Sequence, residues 1–194
     1  MQEWLAAIAR QDDEEAECLA GELTPETVPA LLTMAESDDA ELRWWAVRGL
    51  AIIGGPQSME TLAARLQDEQ PQIRAGAALA LAHLHARYAE AVNPQLDAVA
   101  ELLADDEGYV RQAAADSLAL CGEDGVAPLG RVLRDSTHQG ARTRATAALR
   151  KIATLKAAAI LYGLLNDENH LVRSYAYEGL DEMGLLENVL VMPA

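Results

Sequence analysis

The amino-acid sequence predicts an all-α solenoid of stacked antiparallel helix pairs, and three observations carry that prediction. One spacing of an Arg, small residues and a Leu occurs five times, with its Arg at Arg43, Arg74, Arg111, Arg142 and Arg173. The intervals are 31, 37, 31 and 31 residues, and a fixed period of this length marks a stacked repeat array. The small and apolar positions also hold their phase. Ala46, Ala77, Ala114, Ala145 and Ala176 lie three residues after each Arg, and Gly49-Leu50, Ala80-Leu81, Ser117-Leu118, Ala148-Leu149 and Gly179-Leu180 lie six and seven after. Ile53, Leu84, Cys121, Ile152 and Met183 close the copies. Finally, the 51% hydrophobic content is rich in Ala and Leu and contains no Phe, a composition that suits close-packed helices better than sheets.

The elements follow in order along a single domain. Residues 1–26 are expected to form an N-terminal cap, with one amphipathic helix over residues 2–20 carrying Trp4, Leu5, Ile8 and Leu19. Residues 27–184 hold about five helix pairs. Thr24-Pro25 and Thr27 are start signals for the first helix of the first pair, where Pro29 is tolerated in the first turn because its missing N–H has no intrahelical partner there. Residues 41–53 form the second helix. Later first helices carry Leu62 and Leu66, Val99 and Leu103, Leu129 and Leu133, or Leu161 and Leu165. Each is followed two residues on by an Asp (Asp68, Asp105, Asp135, Asp167), placed to cap the second helix or to bond exposed N–H groups in the turn. The long interval falls near residues 86–94, so the second helix of that pair runs long and ends near Asn93-Pro94. Residues 185–194 form an apolar tail, either a closing cap or an interface.

Charge and cysteine usage narrow the function classes. The formal charge is −16; residues 1–41 carry twelve acids against Arg10, whereas residues 131–156 carry seven bases against Asp135. Such a field disfavours nucleic acid and anionic membranes and favours basic partners. Cys18 and Cys121 are expected to be buried free thiols, which with the absence of a signal segment or an apolar run long enough to span a bilayer points to the cytoplasm.

With this repeat laid out, the chain resembles the HEAT-like repeat family, and within it the bacterial type found in phycobilisome lyase subunits. The segments DENHLVRSYAYEGLDEMG and DDEGYVRQAAADSLALCG carry the resemblance best, which covers roughly residues 27 to 184. It implies an α-solenoid whose second helices line a concave face, and in which the repeat arginines Arg43, Arg74, Arg111, Arg142 and Arg173 are structural, tying adjacent repeats through the turn Asp. In the lyase subunits such repeats assist attachment of a bilin to a Cys of a carrier protein. These repeats serve many unrelated tasks, so the resemblance specifies architecture more than function.

At about 100° per residue, the core-facing positions of each second helix centre near −75° from the Arg, and the opposite side is the candidate binding face. It presents Trp44, Trp45, Arg48 and Ile52; then Leu79 and His83; then Tyr109 and Leu120; then Arg144 and Lys151; and last Tyr175, Glu178 and Glu182. An exposed aromatic beside an Arg is a hot-spot composition, although the N-terminal helix could instead fold over Trp44 or Trp45.

His83 and His85 point about 200° apart on a helix and do not chelate one metal. No phosphate-cradling loop, zinc spacing or nucleophile elbow is present. The expectation is therefore no metal, no cofactor and no enzyme: a scaffold binding another protein, basic surfaces included. The alternatives are an accessory or chaperone-like subunit of a modifying enzyme such as a bilin lyase, and, more distantly, nucleic-acid binding through the basic fourth repeat.

Overall fold

A computed structural model describes residues 1–186. The fold class is the all-α solenoid, and by its contacts the chain divides into two compact units, residues 1–95 and the residues from Leu96 onward.

In the first unit the helices are α1 (Gln2–Ala9), α2 (Asp13–Ala20), α3 (Val28–Met34), α4 (Ala40–Ile53), α5 (Met59–Arg65) and α6 (Pro71–Val92). They pair as α1 with α2, α3 with α4 and α5 with α6, and the second helices α2, α4 and α6 pack in sequence. The N-terminal segment is thus a helix pair, not the single helix expected over residues 2–20. Gln11 takes a positive φ of 56°, and Asp12 restarts the chain as the N-cap of α2 by accepting from the Glu15 N–H at 3.1 Å. Trp4 joins the two helices by donating its indole N–H to the Ala16 carbonyl at 3.0 Å. As the spacing requires, α6 is the long helix, and it bends where Tyr88 leaves helical geometry at φ −139°, ψ 46°.

The second unit contains α7 (Leu96–Glu101), α8 (Gly108–Leu120), α9 (Glu123–Asp135), α10 (Gln139–Ile152), α11 (Leu155–Gly163) and α12 (His170–Glu182). Here α10 packs between α8 and α12, with α9 and α11 on its other side. The apolar tail expected over residues 185–194 lies, from residue 187 on, outside the described residues.

The repeated small positions are explained by how closely the helices approach. Ala46, Ala77, Ala114, Ala145 and Ala176 are each 0% exposed. At Gly49 an added Cβ would sit 3.0 Å from a Leu31 methyl, and at Gly179 it would sit 3.0 Å from Leu161. A larger side chain would force the paired helices apart and expose their Leu contacts, each fully buried Leu contributing about 2 kcal/mol.

The repeat arginines close the turns. Arg43 donates from Nη1 to the carbonyls of Ser37 and Asp38 at 2.9 and 3.0 Å, while its other edge holds Asp68 of the next repeat in two bonds of 2.8 and 3.0 Å. Arg142 also pairs with an Asp one repeat on, Asp167, through Nη2, while its Nη1 donates to the Leu133 carbonyl. Arg74, Arg111 and Arg173 each bind the carbonyls of their own turn. Burial pushes the Asp68 carboxyl upward, but the bonds from Arg43 and the Gln70 N–H, with the charges of Arg43 and Arg65, outweigh burial and hold it below the ordinary range.

One turn departs from the expectation. In the fourth repeat the turn residue is Ser136, not Asp135: Ser136 Oγ accepts from the His138 N–H at 3.1 Å, as Asp68 accepts from Gln70 and Asp167 from Asn169. The repeat has one extra residue between its last Leu and its turn, so Asp135 falls at the end of α9. Arg111 consequently has no carboxylate among the described residues, and its Nε is buried without a hydrogen-bond partner. Replacing Ser136 with Asp is expected to restore the pair and stabilise the second unit by about 1 kcal/mol. A raised urea midpoint checks this; an unchanged or lowered midpoint contradicts the equivalence of Ser136 with Asp68.

Candidate functional site

The candidate face of the first unit is built by α2, α4 and α6. Trp45 is 1% exposed and packs edge-on against Trp4 of the N-terminal pair, ring centroids 6.1 Å apart. This corrects its assignment to a binding surface: the N-terminal pair covers it. Trp44 is half-buried, stands edge-on to Trp45 at 4.6 Å, and carries the Arg48 guanidinium 4.7 Å over its ring. Arg48 is itself paired with Glu17 of α2. A groove of about 330 Å³ opens beside Trp44, with Asp13, Glu41 and Gln72 on its walls. Farther along, Ile52 is exposed, and its carbonyl accepts from Arg87. Leu79 is half-buried and His83 exposed, and His85 contacts Asn93 Oδ1 at 3.1 Å.

In the second unit, Tyr109 and Leu120 are exposed at 50% and 62%. The charged candidates instead bind one another between neighbouring second helices. Lys151 reaches Asp116 at 2.6 Å, and Arg150 of α10 reaches both Glu178 and Glu182 of α12. Partial burial pushes the Asp116 carboxyl up, but Lys151 and Gln112 outweigh it and hold it low. The Glu182 carboxyl is held low by Arg150. Tyr175 is half-buried on α12. The basic run is thus largely neutralised: Arg131 binds Asp97, Arg142 binds Asp167 and Lys156 binds Glu123. Arg144 is the half-buried exception.

The cysteines differ from one another, against the expectation of two buried thiols. Cys18 is exposed on α2, and Cys121 is buried. Burial, with the nearby charge of Asp124, pushes the Cys121 thiol up to about 12, so it stays protonated and unreactive at neutral pH. No helix among the described residues is long and apolar enough to cross a membrane.

Residues 3–92 and 95–184 match the family described as HEAT repeats, so the match begins inside the N-terminal pair and not at residue 27. Over 96 residues the chain is 38% identical to the bilin biosynthesis protein RpcF of Synechococcus sp. (strain WH8020). That match covers 47% of this chain and 46% of the relative, about half the length of each. Among solved structures, the complex of CpcE and CpcF of phycocyanin lyase from Nostoc sp. PCC7120 is similar at a TM-score of 0.55 and 22% identity, covering 89% of this chain and 72% of that one. An engineered protein is similar at a TM-score of 0.52 and 22% identity, covering 92% and 83%. At these identities the two structures speak to the fold alone. The expectation that excluded an enzyme does not stand: the relative carries a bilin biosynthesis name.

Proposed function

The chain belongs to the HEAT-repeat family, and from that premise we propose that it is a subunit of a bilin-attaching lyase, handling a linear tetrapyrrole together with a protein partner. The observation that carries the reading is the 38% identity to a bilin biosynthesis protein; the likeness to a complex of two lyase subunits supports it at the level of fold.

In this reading the second-helix faces meet the partner. The half-buried Trp44 and the exposed Ile52 supply apolar contact in the first unit, and the exposed Tyr109 and Leu120 supply it in the second. The acidic walls beside Trp44 suit a partner surface with Arg or Lys. Glu178, Glu182, Lys151 and Arg48 act chiefly as clamps between neighbouring helices, since their charges are already paired. An exposed thiol at Cys18 and a buried one at Cys121 suit a reducing cytoplasm.

Reconstitution tests the reading. The chain is mixed with a bilin, an apo carrier protein bearing an acceptor Cys, and a second HEAT-repeat lyase subunit, and covalent bilin is read by zinc-enhanced fluorescence after denaturing electrophoresis. Attachment is expected to depend on the chain. Equal attachment when the chain is left out sinks the proposal.

A further inference from the structure

The groove between the N-terminal turns of α10 and α12 differs in charge from its counterpart in the first unit. Both lie where second helices begin side by side. In the first unit the walls are Asp13, Glu41 and Trp44. In the second, a larger groove of about 590 Å³ is lined by Gly140, Arg144, Glu168, Asn169, His170 and Leu171, among others.

Arg144 stands apart from the bases around it. Of the seven between residues 131 and 156, five are held by carboxylates. Arg134 and Arg144 have no such partner among the described residues, and of these two only Arg144 is half-buried and lines the groove. Its Nε is buried with no hydrogen-bond acceptor. A guanidinium that is partly desolvated and unpaired, in a chain of formal charge −16, is an energetic cost that an incoming anion would remove.

The surroundings favour the same sign of ligand. Helices α10 and α12, of 14 and 13 residues, begin at the groove, which their first residues line, and the positive end of a helix dipole favours an anion. Gly140 lies in the first turn of α10, under the Arg144 Nη1; a Cβ there would come 3.0 Å from His138 Cε1, so glycine keeps that floor open. Leu171, 42% exposed, supplies an apolar wall. Glu168 is the one acid lining the groove, and it is solvent-exposed.

We infer that this groove is a carboxylate-binding site for an amphipathic small molecule, with Arg144 as the anion-holding residue. Resting on the function proposed above, the ligand is the bilin, whose flat apolar frame carries two propionates. One propionate replaces water on the free edge of Arg144, and the frame lies along Leu171.

Titration of the full chain with biliverdin, followed by its visible absorbance, tests the inference. Arg144→Leu is expected to weaken binding about tenfold or more, and Arg134→Leu to leave it unchanged. Biliverdin dimethyl ester, tested on the unaltered protein, is expected to bind as weakly as biliverdin binds Arg144→Leu; this arm does not depend on the variant folding. Equal affinity for the ester, full affinity in Arg144→Leu, or no biliverdin binding by the unaltered chain overturns the site. If any of these occurs while attachment to the carrier still depends on the chain, the site falls and the lyase reading stands. Attachment that proceeds without the chain overturns that reading.

Discussion

Trp45→Ala is expected to destabilise the first unit by about 3–5 kcal/mol, the range for removing a large buried aromatic that the surroundings cannot close over. Trp45 is 1% exposed and packs against Trp4, itself 1% exposed. Deleting the indole opens a cavity at the joint between the N-terminal pair and α4. Trp44→Ala, one residue away, removes a half-buried ring whose partner Arg48 keeps its pairing to Glu17; its cost is expected to stay near about 1 kcal/mol. Urea denaturation of the two variants followed by circular dichroism separates the cases. Similar midpoints would contradict the placement of Trp45 in the core. A double replacement of Trp44 and Trp45 would therefore report on folding and could not isolate a binding surface, whereas Trp44→Ala alone can.

The second large effect is at the buried pair. Asp68→Ala leaves Arg43, 5% exposed, with neither of its two carboxylate bonds and only the exposed Glu69 within reach. Removing one partner of a buried pair costs about 3–5 kcal/mol because the remaining charge stays desolvated. The pair also shapes the acid response. The Asp68 carboxyl is held below its ordinary value in the folded chain, so its contribution is fully present above the unfolded value and is lost as pH falls through the folded one. The raised value of Arg43 adds nothing at accessible pH, since the guanidinium is charged in both states. Asp68→Asn should thus lower stability at neutral pH and lose least on acidification. Unfolding measured from pH 7 down to pH 3 checks this; parallel curves for the two proteins would contradict it.

Much of the fold was legible because the repeat constrains it. The alanines three residues after each Arg, and the small residues six after, mark where helices touch, and those positions are buried throughout. What the sequence did not disclose were contacts that do not follow the repeat. The N-terminal pair lacks the repeat Arg, so its packing on Trp45 has no periodic signature. The turn at Ser136 does not follow the Leu spacing that points to Asp135, because the turn keeps register with the Arg: six residues before each Arg stand Ser37, Asp68, Asp105, Ser136 and Asp167.

The charged positions carried a signal that periodicity alone could have exposed. Glu17 with Arg48, Arg150 with Glu182 and Asp116 with Lys151 are separated by 31, 32 and 35 residues, about one repeat, which places opposite charges side by side on adjacent second helices. Angle around one helix identified a face but not which of its charges were already satisfied. Arg144 differs from Lys151 in lacking such a partner among the described residues, which angle around the helix does not express.

The central claim is that the chain takes part in bilin attachment, and the initial rate of covalent attachment as a function of chain concentration tests it most directly. With bilin, carrier and second subunit held fixed, the rate is expected to rise and saturate as the chain is added. A rate that stays flat across that titration would contradict the account.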